Sequence, residues 1–310
     1  MTNLIVTTNI VLPIFLVMAV GFIARRIGLI DEKTVSGCNR LVFRVFLPTS
    51  LARSIMRAEG SLGGALPLFA ALGTIATFAV GMLIVPRVVK ENSRRGVIIQ
   101  GLFRSNYAIF GIPLSEALFP MGDGGVAAMM VAAVIPTFNI LAVITLEIFR
   151  GGKFDVKRIA LGVLKNPLIW GCAIGYALMK SGLTLPSFVN STIDKLAVVA
   201  SPLALFVLGA AIRPGKLKGN MKALLASVTG RLVLSPLVML PIAYALGMRG
   251  AQFATLMIVF GSPTAVSSFT MAEQMGGDPD LAAQQVALTT IFSSITMFAM
   301  IFIFKTMGIF

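Results

Sequence analysis

Two stretches set polar and helix-breaking residues inside long apolar runs: YAIFGIPLSEALFP (107–120) and IVFGSPTAVSSFTM (258–271). Asn106 precedes the first, which holds Gly111, Pro113 and Glu116. Gly261, Ser262, Pro263 and Thr264 mark the second, and Asn139 lies in the apolar run that follows the first. Pro removes a backbone N–H and clashes with the preceding turn, while Gly tolerates unwound dihedrals, so each stretch is expected to split into two half-helices. Pro113 and Pro263 suit the first turn of the second half-helix. Each such start presents unpaired N–H groups and about half a positive charge, so two of them brought together make an anion site. Asn106, Asn139, Ser262 and Thr264 offer hydrogen bonds that suit a carboxylate, or equally a neighbouring helix.

Glu116 is the acid closest to either break and has two readings: a proton-coupling carboxylate, or a cap on its own half-helix. Arg104, about eight residues into its apolar run, either pairs with a substrate carboxylate or snorkels to the cytoplasmic surface some 12 Å away; snorkelling is the favoured reading. Glu273, Asp278 and Asp280 read as a solvated loop. The chain has no His, which removes His-dependent metal sites, Ser-His and Cys-His pairs and His relays. No P-loop or HExxH pattern occurs, and the GGD at 276–278 lacks the spacing of membrane aspartyl proteases. Cys38 and Cys172 both lie in apolar segments and read as small core residues. No cofactor, metal or catalytic residue is expected. An intramembrane enzyme and an ion channel are the weaker alternatives to a gradient-driven carrier, because neither a second mid-span Asp nor a charged ring is evident.

The elements that must position these residues are membrane helices. Of 310 residues, 57% are hydrophobic and 12% charged, with mean hydropathy +0.92, outside the range of soluble domains. Apolar runs near 4–24, 35–56, 63–86, 96–120, 124–149, 158–180, 187–212, 221–247, 251–275 and 281–304 suit a hydrocarbon core of about 30 Å. The net charge of +14 reflects Lys and Arg between these runs, which points to topology and away from nucleic acid. With the N-terminus outside, cytoplasmic loops hold sixteen basic residues and the opposite side five, Arg53, Arg57, Lys180, Arg249 and Lys305. The expectation is a multi-pass protein of the inner (plasma) membrane with both termini non-cytoplasmic.

The halves also repeat. Pro13, Gly21, Gly28, Leu29 and Pro48 recur 154 residues later as Pro167, Gly175, Gly182, Leu183 and Pro202, and Phe110-Gly111-x-Pro113 recurs after 150 as Phe260-Gly261-x-Pro263. Five spans per unit, an odd number, give two units of inverted topology, 1–150 and 151–310, which makes the fourth and ninth spans equivalent.

GFIARRIGLIDEKTVSGCNRLVFRVFLPTSL (21–51), FRSNYAIFGIPL (103–114), LKNPLIWGCAIGYAL (164–178), SPLALFVLGAAI (201–212) and GSPTAVSSFTMAEQMGGDPDLAAQ (261–284) together resemble the auxin efflux carrier family over nearly the whole chain. That family includes plant auxin carriers and bacterial permeases for malate or malonate. The resemblance implies an all-α fold of ten helices in two inverted five-helix repeats, similar to bile-acid sodium symporters, with crossed, broken fourth and ninth helices. It also implies alternating-access transport of a small organic anion bound at the crossover, with Asn106 matching the family's asparagine ahead of the Gly-x-Pro. No convincing sodium cage is visible, and the long central loop of plant carriers is absent. The partners implied are the anion and the lipid bilayer, with assembly as a homodimer left open.

Overall fold

A computed structural model describes residues 2–57, 64–119, 125–150, 155–213, 215 and 217–310. Helices cover each of the ten apolar runs. The first half contains α1 (Thr2–Arg26), α2 (Glu32–Leu41), a π turn (Val42–Phe46), α3 (Leu47–Met56), α4 (Ala65–Val88), α5 (Asn92–Phe103), α6 (Tyr107–Leu118) and α7 (Gly125–Phe149). The second contains α8 (Val156–Leu164), α9 (Pro167–Ser181), α10 (Ser187–Ala211), α11 (Leu217–Thr229), a π turn (Gly230–Leu234), α12 (Ser235–Ala245), α13 (Gly250–Gly261), α14 (Ser267–Gln274) and α15 (Pro279–Thr306). Among the described residues the only β pairing is one isolated bridge.

Local sequence accounts for the joints. Each π turn lies just ahead of a proline in the first turn of the next helix, Pro48 and Pro236. Proline cannot donate to the carbonyl four residues back, and the widened turn absorbs that missing bond. The run expected as one span over 158–180 is bent instead. Asn166 caps a new helix, its side chain accepting from Leu168 N–H at 2.9 Å, and Pro167 opens it; α8 and α9 meet at 56°. Asp278 caps α15 through Leu281 N–H, so it is not a free loop acid.

Four helices are long and apolar enough to cross a membrane, Ala65–Val88, Ser187–Ala211, Gly219–Ala245 and Pro279–Thr306, and the bent α8–α9 pair passes the same test, among the described residues. Leu68, Leu72, Val80 and Leu83 on α4 and Leu237, Val238 and Ile242 on α12 face outward. Such a contiguous apolar belt suits lipid and not water. The protein is a multi-pass membrane protein.

Two helix crossings are unusually close. A Cβ on Gly21 of α1 would fall 2.0 Å from the Phe206 carbonyl oxygen of α10, and one on Gly209 of α10 would fall 1.9 Å from that of Met18 in α1. In α9, Cβ atoms on Gly171 and Gly175 would lie 2.5 and 2.6 Å from the carbonyl oxygens of Pro48 and Ala52 in α3. Glycine lets the backbones touch. Adding 154 to Gly21 and Ala52 gives Gly175 and Phe206, so the α1–α10 contact and the α9–α3 contact correspond residue for residue. The remaining helices, α4–α7 and α11–α15, interlock around Phe103, Phe110, Phe253, Phe260 and Phe269, all buried.

Candidate functional site

α5 stops at Phe103 and α6 starts at Tyr107; α13 stops at Gly261 and α14 starts at Ser267. The two gaps cross and pair in antiparallel sense. Ser105 bridges Thr264, Asn106 N–H donates to the Pro263 carbonyl at 2.8 Å, and Ala265 N–H donates to the Arg104 carbonyl at 3.2 Å. Thr264 Oγ1 donates to the Gly101 carbonyl at 3.1 Å, and Gln100 Nε2 to that of Ser268 at 3.0 Å. Each gap therefore satisfies backbone groups of the other, which is the condition for irregular backbone at membrane depth.

The carbonyl ends of α5 and α13 are closed by one side chain. Arg231, from the Gly230–Leu234 turn, is 1% exposed. Its Nε donates to the Ser262 carbonyl at 2.8 Å, Nη2 to that of Val259 at 2.6 Å, and Nη1 to those of Leu102 and Phe103, both at 3.3 Å. The last carbonyls of a helix have no intrahelical donor and carry about half a negative charge, which this guanidinium meets at two helix ends at once.

The first break is not where the Gly-x-Pro pattern put it. Gly111 and Pro113 both fall inside α6, and α5 and α6 part over Arg104-Ser105-Asn106, with neither Gly nor Pro. The pairing makes Ser105 the counterpart of Thr264, Arg104 that of Pro263 and Asn106 that of Ala265, each 159 residues apart. Proline is neither sufficient for a break, since Pro113 lies inside α6 and Pro136 and Pro202 inside other helices, nor necessary: the strand-like pairing and Arg231 hold this one open. Gly111 has a different use, since a Cβ there would lie 2.8 Å from the Tyr107 ring that folds back along α6. The side chains of Pro113 and Glu116 lie outside the described residues.

Arg104 does not snorkel to the surface. The snorkelling reading assumed an unbroken helix, but the break turns the side chain inward, where it is 3% exposed. Its Nη2 donates to Asn139 Oδ1 at 2.7 Å and to Ser267 Oγ at 2.9 Å, and Nη1 meets the Met271 sulfur. Asn139 is oriented for this, its amide donating to the Ile135 carbonyl at 2.8 Å. No carboxylate pairs with Arg104 among the described residues, and three bonds leave part of its five-donor fork uncommitted. Beside it, the buried Asn106 Nδ2 and Ser105 Oγ have no hydrogen-bond partner among the described residues.

These groups face a cavity of about 80 Å³, several times the roughly 10–15 Å³ that one water needs. Arg104, Ser105, Asn106, Asn139 and Ser267 form its polar wall. Ser50 and Ser54 of α3 and Ser201 of α10 also line it, together with Ile135, Phe138 and Leu168. The starts of α6 and α14 adjoin it, so two half-helix dipoles and one guanidinium give a single sign of charge. Of the residues singled out in the sequence, Asn106 and Asn139 line this cavity. Gly111, Gly261, Ser262, Pro263 and Thr264 do not; the last three build the crossover backbone. Glu273 is also not a solvated loop acid, since its carboxylate accepts from Asn39 Nδ2 of α2, a fully buried amide.

A family model described as membrane transport protein matches residues 6–301. The chain belongs to this family, the auxin efflux carriers. It is a membrane transporter. This carrier is 25% identical over 298 residues to an uncharacterised transporter of Methanothermobacter thermautotrophicus, covering 94% of this chain and 96% of that one. It is 22% identical over 294 residues to an uncharacterised transporter of Methanocaldococcus jannaschii, covering 92% and 94%. It is 24% identical over 322 residues to a Rhizobium meliloti protein named "Putative malonate transporter", covering 96% of each. Ser267 and Arg231 gave no signal in the sequence analysis. An arginine inside an apolar run is a functional candidate by default, and that rule, applied to Arg104 and Arg231 without the snorkelling estimate, would have found both.

Proposed function

We propose that this transporter is a secondary carrier for a small organic carboxylate, bound at the crossover and exchanged between the two sides of the membrane by alternating access. One observation carries the reading: the Arg104 guanidinium is buried, has no carboxylate partner among the described residues, and faces a cavity beside two half-helix starts. A buried cation without a counter-charge is costly, and an anion in the cavity supplies it. The cavity suits a mono- or dicarboxylate of a few carbons such as malonate or malate, and the similarity to the relative named for malonate favours the same class. An auxin-like aromatic acid would require the cavity to widen.

In this reading 1–150 and 151–310 are five-helix repeats of opposite orientation, and both termini lie on the non-cytoplasmic side of the inner membrane. The matched glycine contacts 154 residues apart and the broken helix in each half support it. α1–α3 and α8–α10 form the scaffold, α4–α7 and α11–α15 the moving bundle. Arg104 and Asn106 belong to the bundle and Ser50, Ser54 and Ser201 to the scaffold, so an elevator-like slide would carry the anion with its guanidinium.

Uptake into proteoliposomes from a panel of radiolabelled mono- and dicarboxylates, with and without a sodium or pH gradient, tests the reading; saturable uptake of a short carboxylate is expected, and none for any member of the panel rejects it. A reporter fused after Phe310 is expected to be active only outside the cytoplasm, and the opposite result reverses the orientation. Asn106→Ala is expected to melt at the parent's temperature, because it removes an unpartnered donor, while carboxylate affinity falls about ten- to hundredfold, the worth of one charged hydrogen bond at roughly 1.5–3 kcal/mol. Parent-like affinity in calorimetric titration would take Asn106 out of the site.

A further inference from the structure

The two broken helices present two kinds of ends, and the chain keeps them apart. The starts of α6 and α14 adjoin the cavity with Arg104; the carbonyl ends of α5 and α13 converge elsewhere, on Arg231. In carriers built from discontinuous helices, half-helix starts meet the anionic substrate and carbonyl ends coordinate a mobile coupling cation. Here the carbonyls of Leu102, Phe103, Val259 and Ser262 already have a cation among them. No acid pairs with Arg231 among the described residues. Its counter-charge is the pair of helix ends, together about one elementary charge. A packing role alone would not need a guanidinium, since an aliphatic side chain fills space at lower desolvation cost but would leave four carbonyls without a donor.

We propose that Arg231 is a tethered cation standing where a mobile coupling cation would bind, so that the carrier works without sodium or potassium, and that removing its side chain uncovers a monovalent-cation site. The inference rests on the carrier reading for its meaning in transport. A guanidinium keeps its proton throughout any physiological pH range, so the position neither releases nor takes up a coupling ion during the cycle. The four bonds also bind the ends of both broken helices to the π turn, and the crossover moves as one body.

The test compares parent, Arg231→Ala and Arg231→Lys in detergent at constant ionic strength, with choline, sodium, potassium or guanidinium chloride at tens of millimolar. The parent is expected to melt at one temperature in all four salts. Arg231→Ala is expected to melt about 5–10 °C lower in choline, with guanidinium recovering at least half of that loss saturably and sodium or potassium recovering less. Arg231→Lys should lie between the two and respond little to added cation. If Arg231→Ala is too unstable to purify in choline, the inference requires that it be recovered folded when purified in guanidinium. A folded Arg231→Ala indifferent to every cation overturns the proposal, as does a parent whose melting or uptake requires sodium. These melting measurements involve no substrate. Cation rescue of stability combined with no uptake of any carboxylate by the parent would keep the cation site and reject the carrier reading.

Discussion

Arg104→Ala is expected to lower carboxylate affinity by roughly 30-fold to several thousandfold, because truncating one partner of a buried, hydrogen-bonded charge pair costs about 2–5 kcal/mol. Its effect on stability should run the other way. In the empty carrier the guanidinium is buried without a carboxylate among the described residues, so replacing it relieves a desolvation cost, and the unliganded variant should melt at or above the parent's temperature. Arg104→Lys keeps the charge but loses the planar fork held by Asn139 and Ser267, and should recover only part of the affinity. Titration calorimetry with malonate and a thermal melt of the same preparations check both halves. A variant that melts lower and still binds like the parent would make Arg104 a structural strut and move the anion site elsewhere.

What the sequence could convey about this site depended on whether the signal was local. The second break was legible because Gly261 and Pro263 stand two residues apart at the end of an apolar run, and the structure parts α13 from α14 there. The first was legible only as a region. Gly111 and Pro113 carry the same local pattern, yet the gap lies at Arg104–Asn106, and what opens it is contributed by residues more than a hundred positions away, Arg231 and the Pro263–Ala265 backbone. The same blindness explains the inverted reading of Arg104. An estimate of snorkelling distance along a straight helix has no meaning once the helix is interrupted at that residue. Asn39 and Arg231 are further cases, buried polar residues whose partners lie on other elements, and the half-buried Glu273 is joined to Asn39 across 234 residues, which no local pattern reveals. Helix positions were far more legible, since apolar run length is a local property. The expected segments 96–120 and 251–275 fall within a few residues of the observed 92–118 and 250–274.

The contact expected to fail most sharply on substitution is the α1–α10 crossing. A Cβ at Gly209 would sit 1.9 Å from the Met18 carbonyl oxygen, and the nearest atoms of Met18 are all backbone, so no side-chain rotation can relieve the clash. The two helices would have to separate, and in a membrane that loses packing with no hydrophobic gain in exchange. Gly209→Val is therefore expected to cost about 3 kcal/mol or more, at or beyond the upper range for overpacking. Gly21→Val should behave alike, its Cβ falling 2.0 Å from the Phe206 carbonyl oxygen, and so should Gly175→Val against Ala52 in the matching crossing. Gly219 in α11 is the control: a Cβ there meets nothing within 4 Å, so Gly219→Ala should be neutral or raise stability by about 0.4–1 kcal/mol through the reduced freedom of the unfolded chain. Thermal melts of the four variants in one detergent decide the matter. If Gly209→Val or Gly175→Val melts with the control, the backbones do not touch there, and the residue-for-residue match between the two crossings loses its physical basis.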